Sequence, residues 1–181
     1  MNIKKNLKST KFKSLEIKNL KLNKIIKINI KNKKNLGSDR IANAIGAKKL
    51  KNCLIIDFGT ATTFDVIKNG TYEGGVIAPG VSLSIKNLSQ ATALLPLINL
   101  KSHQKSYGKN TIEALNAGFV WGYEGLINNI IDKILYGSRI KYKILLTGGY
   151  ANFFNKIIKK KIIIDQDVTI KGIANAYKEL I

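Results

Sequence analysis

The stretch Asp57-Phe-Gly-Thr-Ala-Thr-Thr-Phe-Asp65, which follows the apolar run Cys53–Ile56, decides the fold. An apolar run that closes on a glycine turn is typical of a buried strand. Gly59 lets a ligand approach the backbone closely because it has no Cβ, and threonine hydroxyl and main-chain N–H groups suit phosphate. Asp57, a carboxylate at the strand end, indicates a bound cation or a capped group. The stretch alone leaves open a phosphate or metal site, or a tight hairpin whose second strand contains Phe64–Ile67.

The segments after this stretch alternate between strand and helix patterns. From residue 53 onward the predicted order is β-β-β-α-α-β-α-β-α, in which three strands joined by tight turns are followed by alternation with helices. This order predicts an α/β fold with a mixed sheet and helices on its faces. The expected strands after the first are 64–67, 71–80, 143–147 and 162–165. The expected helices are 39–49, 82–91, 110–135, 150–158 and 169–180.

The longest predicted helix begins at a capping signal. Asn110 is the expected cap, and Glu113 stands three residues later as in a capping box. The small residues Ala114, Gly118 and Gly122 form a smooth strip, for which packing on the chain's own sheet is favoured over a subunit contact. The expected apolar stripe consists of Ile112, Leu115, Phe119, Leu126, Ile130 and Ile134.

Composition excludes several classes of protein. One cysteine, Cys53, and one histidine, His103, rule out a disulfide framework and the usual zinc sites, and they favour a reducing, cytoplasmic setting. No apolar run is long enough to span a bilayer, and no signal peptide is recognised. Residues 1–51 carry 15 Lys and one Arg against two acidic residues, a net charge of +14 out of +20. Because arginine, the usual residue for base contacts, is scarce, we interpret the charge as solvated surface and disfavour nucleic-acid binding.

The segment Gly37-Ser38-Asp39-Arg40 opens the first predicted helix. Ser38 is a suitable N-cap, and a first-turn carboxylate such as Asp39 is favoured by the helix dipole. The same turn could hold a polar ligand, with donors from the backbone and Arg40 and an acceptor in Asp39. Before it, the segments 14–20 and 24–30 are each expected to form a strand.

Five segments together resemble type III pantothenate kinase, a family of the actin/sugar-kinase/Hsp70 superfamily. The resemblance covers about residues 30–181 and implies a ribonuclease-H-like, actin-like ATPase fold. It also implies ATP-dependent phosphorylation of pantothenate to 4'-phosphopantothenate, the first step of coenzyme A biosynthesis, by a homodimer. The segments, which occur in the family's order, are 37–40, 57–65, Gly74-Gly-Val-Ile-Ala-Pro-Gly80, Gly108-Lys-Asn-Thr-Ile-Glu-Ala114 and Leu146-Thr-Gly-Gly149.

The resemblance implies roles for the residues that match the substrate motifs. Asp39 corresponds to the proton acceptor for the pantothenate hydroxyl, and Gly37, Ser38 and Arg40 would line the substrate. Ser38 stands where the family usually has alanine. Thr111 would contact pantothenate. These roles suit phosphoryl transfer, which depends on positioning and charge stabilisation more than on covalent chemistry.

The resemblance also implies the nucleotide and cation sites. Gly59 and Thr60 would bind the ATP phosphates, with Mg²⁺ as the divalent metal, and Asp57 would bind a monovalent cation, K⁺ or NH₄⁺. The sequence departs from the family in two places. No Asp-x-Gly-Asn turn precedes residue 37, and Ile30 stands where a substrate-contacting tyrosine is usual.

From these departures we expect an N-terminally truncated family member with impaired activity. Residues 1–50 would be a remnant of the N-terminal ribonuclease-H-like domain, and residues 51–181 the complete C-terminal one. The alternative is a non-catalytic paralogue similar to the Bvg accessory factor regulators of the same family.

Overall fold

Six strands form one mixed sheet in the structure, a computed structural model that describes residues 15–100 and 106–179. The strands are β1 Lys27–Ile28, β2 Cys53–Phe58, β3 Ala61–Lys68, β4 Thr71–Pro79, β5 Lys143–Gly148 and β6 Ile162–Ile164. Their order across the sheet is β1-β4-β3-β2-β5-β6. The pairs β2–β3 and β3–β4 are antiparallel, whereas β1–β4, β2–β5 and β5–β6 are parallel.

Five helices accompany the sheet in the described part of the chain. They are α1 Ser38–Gly46, α2 Val81–Ala91, α3 Thr111–Leu135, α4 Ala151–Phe154 and α5 Val168–Lys178. The order predicted from residue 53 onward is confirmed element by element, and so is the mixed α/β fold class. The helix expected at 150–158 is shorter than predicted, and residue 180, the expected end of the last helix, lies outside the described residues. No helix within 15–100 and 106–179 is long and apolar enough to cross a membrane.

Each face of the sheet carries its own core because successive strand residues point to opposite faces. One core contains Leu54 and Ile56 with α2, α3 and α4, and the other contains Cys53 and Ile55 with α1 and α5. Described residues before position 51, such as Ile41, pack in the second core. The domain boundary expected after residue 50 stays a prediction.

The N-terminal strands differ from the prediction. The strand expected at 14–20 is wrong, because its described residues contain the 3₁₀ turn Ile17–Asn19, where Leu20 N donates to the Ile17 carbonyl at 3.1 Å. Of the strand expected at 24–30, only β1 forms, beside β4. A second 3₁₀ turn, Leu22–Lys24, shortens it. Such local turns compete with strand pairing where apolar and polar residues alternate imperfectly.

Helix α3 begins as predicted but buries a different face. Asn110 Oδ1 accepts from Glu113 N at 3.0 Å, and Glu113 Oε2 accepts from Lys109 N at 2.8 Å. The predicted stripe is wrong, since Ile112 is exposed and its other members are only partly buried. The buried side chains are Asn116, Ala117, Val120, Tyr123, Ile127 and Ile131. A helix that is apolar on several sides does not reveal its core face by period alone.

The small-residue strip of α3 faces away from the sheet. Gly118 and Gly122 are exposed, and a Cβ added to either would meet no described atom within 4 Å. The favoured interpretation, packing on the chain's own sheet, is therefore wrong for these residues.

Candidate functional site

The turns that matched the family motifs meet at one edge of the sheet. Strands β2, β4 and β5 point the same way, so their carboxyl ends lie side by side. The turn Gly59–Thr60 follows β2, and Gly80 follows β4 so closely against the Thr60 carbonyl that a side chain at position 80 would clash with it. Gly149 N donates to the Phe58 carbonyl at 3.1 Å. The edge is thus built from tight backbone contacts between the motifs.

Asp57, at this edge, is tied to both helices of the second face. Asn43, fully buried on α1, donates from Nδ2 to Asp57 Oδ2 at 2.8 Å. Thr169 on α5 donates from Oγ1 to Asn43 Oδ1 at 2.6 Å, which fixes the orientation of the amide. Burial raises the pKa of Asp57, the Asn43 hydrogen bond opposes this, and the charge of Asp39 raises the pKa further. The charge of Asp39 therefore acts on the carboxyl group of Asp57.

Two glycines leave room beside the other oxygen of this carboxylate. A Cβ on Gly148, which has a φ of +85°, would lie 2.6 Å from Asp57 Oδ1. A Cβ on Gly59 would lie 3.7 Å from the same oxygen. Within the described residues no group of three or more His, Cys, Asp or Glu side chains could hold a metal ion. The arrangement offers one carboxylate oxygen beside exposed backbone, not a multi-carboxylate metal cluster.

The Gly59 turn supplies fewer main-chain donors than the sequence suggests. Gly59 N already donates to the Ala61 carbonyl at 3.1 Å. Thr60 is exposed, whereas Thr62 is fully buried and its hydroxyl has no hydrogen-bond partner. Of the motif's threonines, Thr60 is thus the one placed to meet a ligand from solvent.

The start of α1 places the acidic residue of its motif at the surface. Gly37 occupies the N-cap position and Ser38 is the first helical residue, so the expectation that Ser38 caps the helix is wrong. Asp39 is exposed, and its Oδ1 accepts from Arg40 N at 2.9 Å. Ser38 and Asp39 line a cavity of about 460 Å³ with residues of α5 and the segment before α1.

The guanidinium of Arg40 points into the protein, toward Asp65 on β3. Arg40 Nε and Nη2 each lie 2.7 Å from Asp65 Oδ1, and the Asp65 side chain is fully buried. Tyr72 donates its hydroxyl to the same oxygen at 2.7 Å, and its ring lies under the guanidinium at 5.9 Å. Thr63 donates to Asp65 Oδ2 at 3.3 Å. Burial raises the pKa of Asp65, and the charge and hydrogen bonds of Arg40 oppose that shift.

The sequence motifs did not identify Asn43, Asp65, Tyr72 and Thr169 as members of this site. Asp65 carried a usable signal, since it lies in the quoted motif as a carboxylate within a strand predicted to be buried. The others gave no local signal, because their partners stand many residues away along the chain.

Thr111 lies on the other face of the sheet from α1. It lines a cavity of about 440 Å³ with Leu88, Leu95 and the first turns of α3. This cavity shares no lining residue with the one beside Ser38 and Asp39. The structure therefore joins α1, the helix that carries Asp39, to Asp57 through Asn43 and places Asp57 beside Gly59, whereas Thr111 lines a separate cavity.

Comparisons with solved structures agree with this fold. A crystal structure described as a Baf family transcriptional activator from Campylobacter jejuni is 26% identical, with a TM-score of 0.69, over 98% of this chain and 78% of that one. A kinase structure from Sinorhizobium meliloti, described as a 2-dehydro-3-deoxygalactonokinase, is 12% identical with a TM-score of 0.51 over 79% of this chain and 59% of that one. The latter likeness shows the fold alone, which is the expected actin-like one.

Sequence comparisons identify the family. A type III pantothenate kinase from Pelagibacter ubique (strain HTCC1062) is 51% identical over 92% of this chain and 67% of its own length. Further relatives with the same name are 38–41% identical, and the chain spans only 55–62% of their length. The family model described as type III pantothenate kinase matches residues 2–133. With these matches, the chain belongs to the type III pantothenate kinase family.

Proposed function

We propose that the protein transfers the γ-phosphoryl group of ATP to pantothenate, forming 4'-phosphopantothenate, the first step of coenzyme A biosynthesis. The observation that carries this proposal is the hydrogen bond from Asn43 of α1 to Asp57, which holds this helix beside the strand end that leads into Gly59. Asp39 is close enough to Asp57 to influence its pKa, and Asp57 is close to Gly59. These relations support the proposal that Asp39 accepts a hydroxyl proton near a turn suited to phosphate.

Asp39 acts as the general base in this proposal. It is exposed, and its Oδ1 accepts from a backbone N–H within its own turn, so a side-chain oxygen can meet a substrate hydroxyl. As the hydroxyl oxygen forms its bond to the γ-phosphorus, its proton passes to Asp39 and ADP leaves. Gly37 and Ser38 line the substrate, and Arg40 holds its carboxylate or hydroxyl groups.

The nucleotide and the cations are assigned to the same edge. Gly59 and Thr60 would contact the ATP phosphates, and Mg²⁺ bound with ATP would neutralise charge on the transferred group. A monovalent cation, K⁺ or NH₄⁺, would sit at Asp57. The carboxylate oxygen left clear by Gly148 and Gly59 fits a hard cation that takes oxygen ligands. A cytoplasmic location, expected from the sequence, remains part of the proposal.

We also propose that the protein is a homodimer whose contact includes the exposed strip of α3. Gly118, Gly122 and Trp121 are exposed on this helix, and exposed apolar surface of this kind marks interaction sites. Thr111, on the opposite face from Asp39, would then contact pantothenate held by the partner protomer's site.

A second candidate function is regulation without catalysis. The Campylobacter jejuni structure supports it, because that protein is described as a transcriptional activator. The chain's own α1 motif argues for catalysis, since it carries both Asp39 and Arg40.

The two functions separate in one experiment on the intact protein. The protein is incubated with pantothenate, ATP, Mg²⁺ and K⁺, and ADP release is followed by a coupled colour reaction. The product is identified by its mass. The proposal expects pantothenate-dependent ADP release and a product heavier by one phosphate. The absence of pantothenate-dependent ADP release, together with no phosphorylated product, would favour the regulatory function.

A further inference from the structure

The carboxylate of Asp65 receives four hydrogen bonds inside the protein. Three come to Oδ1, from Arg40 Nε, Arg40 Nη2 and the Tyr72 hydroxyl, each at 2.7 Å. The fourth comes to Oδ2 from Thr63 at 3.3 Å. The Asp65 side chain is 0% exposed and that of Arg40 is 13% exposed. The ion pair therefore has a fixed geometry that solvent cannot easily relax.

Strand β4 is shaped to admit this pair. The register between β3 and β4 shifts between Val66 and Ile67, so Glu73 is an extra, bulged residue. A strand without the bulge would place Tyr72 on the face opposite to Asp65, because side chains alternate. The bulge turns Tyr72 to the face of Ile67 and Asp65, where its hydroxyl reaches the carboxylate.

Gly75, also on β4, leaves room for the guanidinium of Arg40. It pairs directly with Asp65 across the two strands, and Arg40 Nη2 lies 2.7 Å from the position a Gly75 Cβ would take. The guanidinium thus occupies the place of a cross-strand side chain. A bulge and a glycine in one strand, both serving one buried pair, indicate that the position of Arg40 matters beyond holding α1 to the sheet.

Stability alone does not account for such a pair. Removing two charges from water costs about as much as their attraction returns, so apolar replacements of buried ion pairs are often as stable. A fixed guanidinium has another use. With Nε and one side of Nη2 directed at Asp65, the remaining N–H groups form a second fork that matches a carboxylate. Fixing that fork in advance lowers the entropy lost when a substrate binds.

We propose that Asp65 is a positioning residue that holds the Arg40 guanidinium in the orientation needed to bind the carboxylate of pantothenate. The inference rests on the proposed function and adds to it a residue with no contact to the reacting atoms. Tyr72 and Thr63 support Asp65 by satisfying its remaining acceptor sites. The alternative is that the ion pair only fastens α1 to β3.

A double-mutant cycle on the intact enzyme tests the proposal. Arg40→Lys and Asp65→Asn are each expected to raise the pantothenate KM at least tenfold while kcat stays within threefold, because the carboxylate contact is the same in the ground and transition states. The double variant is expected to show no larger KM than the worse single variant, since both changes remove one interaction. Multiplicative effects on KM, or an Asp65→Asn KM within twofold of wild type, would overturn the proposal.

Controls keep a structural effect apart from a positioning effect. Asn128→Ala removes a partly buried amide that joins α3 to the carbonyl of Ile157 at 3.0 Å, on the other face of the sheet. It is expected to lower thermal stability with no change in pantothenate KM. If Asp65→Asn does not fold, Asp65→Ser, which leaves room for water around Arg40, is measured against the same limits.

The failure of the inference is distinguishable from the failure of the proposed function. A wild-type enzyme that does not phosphorylate pantothenate refutes the function and the inference together. A wild-type enzyme that does so, with Asp65 variants that change only melting temperature, refutes the inference alone.

Discussion

Replacing glycine by alanine is expected to have different effects on stability at Gly148 and Gly59, the two glycines beside Asp57. Gly148 has a φ of +85°, whereas Gly59 is not among the described glycines with positive φ. A Cβ at Gly148 would lie 2.7 Å from backbone atoms of Phe58 and 2.6 Å from the Asp57 carboxylate. A Cβ at Gly59 would meet only the Ala61 carbonyl at 3.5 Å and the same carboxylate at 3.7 Å. The chain itself therefore requires a glycine at 148 but not at 59.

The magnitudes follow from these distances. For Gly148→Ala, the left-handed backbone costs about 1–2 kcal/mol and the backbone clash about 1–3 kcal/mol, so the free energy of unfolding should fall by roughly 2–5 kcal/mol. At about 2–4 °C per kcal/mol for a chain of this size, the melting temperature should drop by roughly 4–20 °C. For Gly59→Ala the change in stability should stay within about 1 kcal/mol, and it can be favourable because the unfolded chain loses freedom.

The effect of Gly59→Ala should instead appear in nucleotide binding. If an ATP phosphate approaches this backbone, an added methyl group stands in its way, and we expect ATP to bind about tenfold more weakly, which is roughly 1.4 kcal/mol. Thermal melts with and without ATP, together with calorimetric titration, measure both quantities on the same preparations. A folded Gly59→Ala protein that binds ATP within twofold of wild type would show that Gly59 is not part of the phosphate site. A Gly148→Ala protein as stable as wild type would show that the geometry beside Asp57 is wrong.

Three further predictions concern the base, the cation and the dimer. Asp39→Asn should lower kcat by about 10²–10⁴-fold with little change in melting temperature, because the residue is exposed, and a change under threefold in coupled ADP release would contradict its role. Asp57→Asn should remove activation by K⁺ or NH₄⁺, and it should raise the melting temperature at neutral pH. Because the pKa of Asp57 is raised in the folded state, its contribution to stability falls as pH rises through that pKa, so the variant and wild type should converge as pH falls to about 4. Gly122→Arg should leave the protomer as stable or up to about 1 kcal/mol more stable while light scattering detects monomers, and an unchanged dimer would place the contact elsewhere.

Most of the fold was predictable because its signals are local. The turn at Asn69–Gly70, with both φ values positive, and the strand pair around it follow from residues a few positions apart. The failures came where the decision is made by distant residues. The short strand β1 forms only because β4 is available beside it, and α3 selects its buried face by contact with α2 and the sheet. Neither the pairing of β1 nor the buried face of α3 is determined by the sequence of that segment alone.

The same division holds for the candidate site. The Gly37–Arg40 and Asp57–Asp65 motifs were found from their own residues, but the partners that orient them were not. Asn43 stands 14 residues before Asp57, and Thr169 stands 126 residues after Asn43. Tyr72 hydrogen-bonds to Asp65 only because the bulge in β4 turns its side chain to the other face of the sheet. Such a bulge cannot be predicted from the alternation of apolar and polar residues, because it interrupts that alternation.

The two carboxylates of the central motif, Asp65 and the partly buried Asp57, differ in how their charge is balanced, and this difference bears on the cation. Asp65 has a cationic partner, Arg40, at 2.7 Å, and the hydroxyl groups of Tyr72 and Thr63 also donate to it. Asp57 accepts instead from the neutral amide of Asn43, and the like charge of Asp39 makes its ionisation harder. A partly buried carboxylate with a like charge nearby is costly unless a positive charge comes to it. Because Gly148 and Gly59 leave space at Asp57 Oδ1, a cation from solution can supply that charge, as Arg40 does for Asp65. The dependence on a monovalent cation proposed for Asp57 would thus follow from a carboxylate to which the described part of the chain brings no cationic side chain.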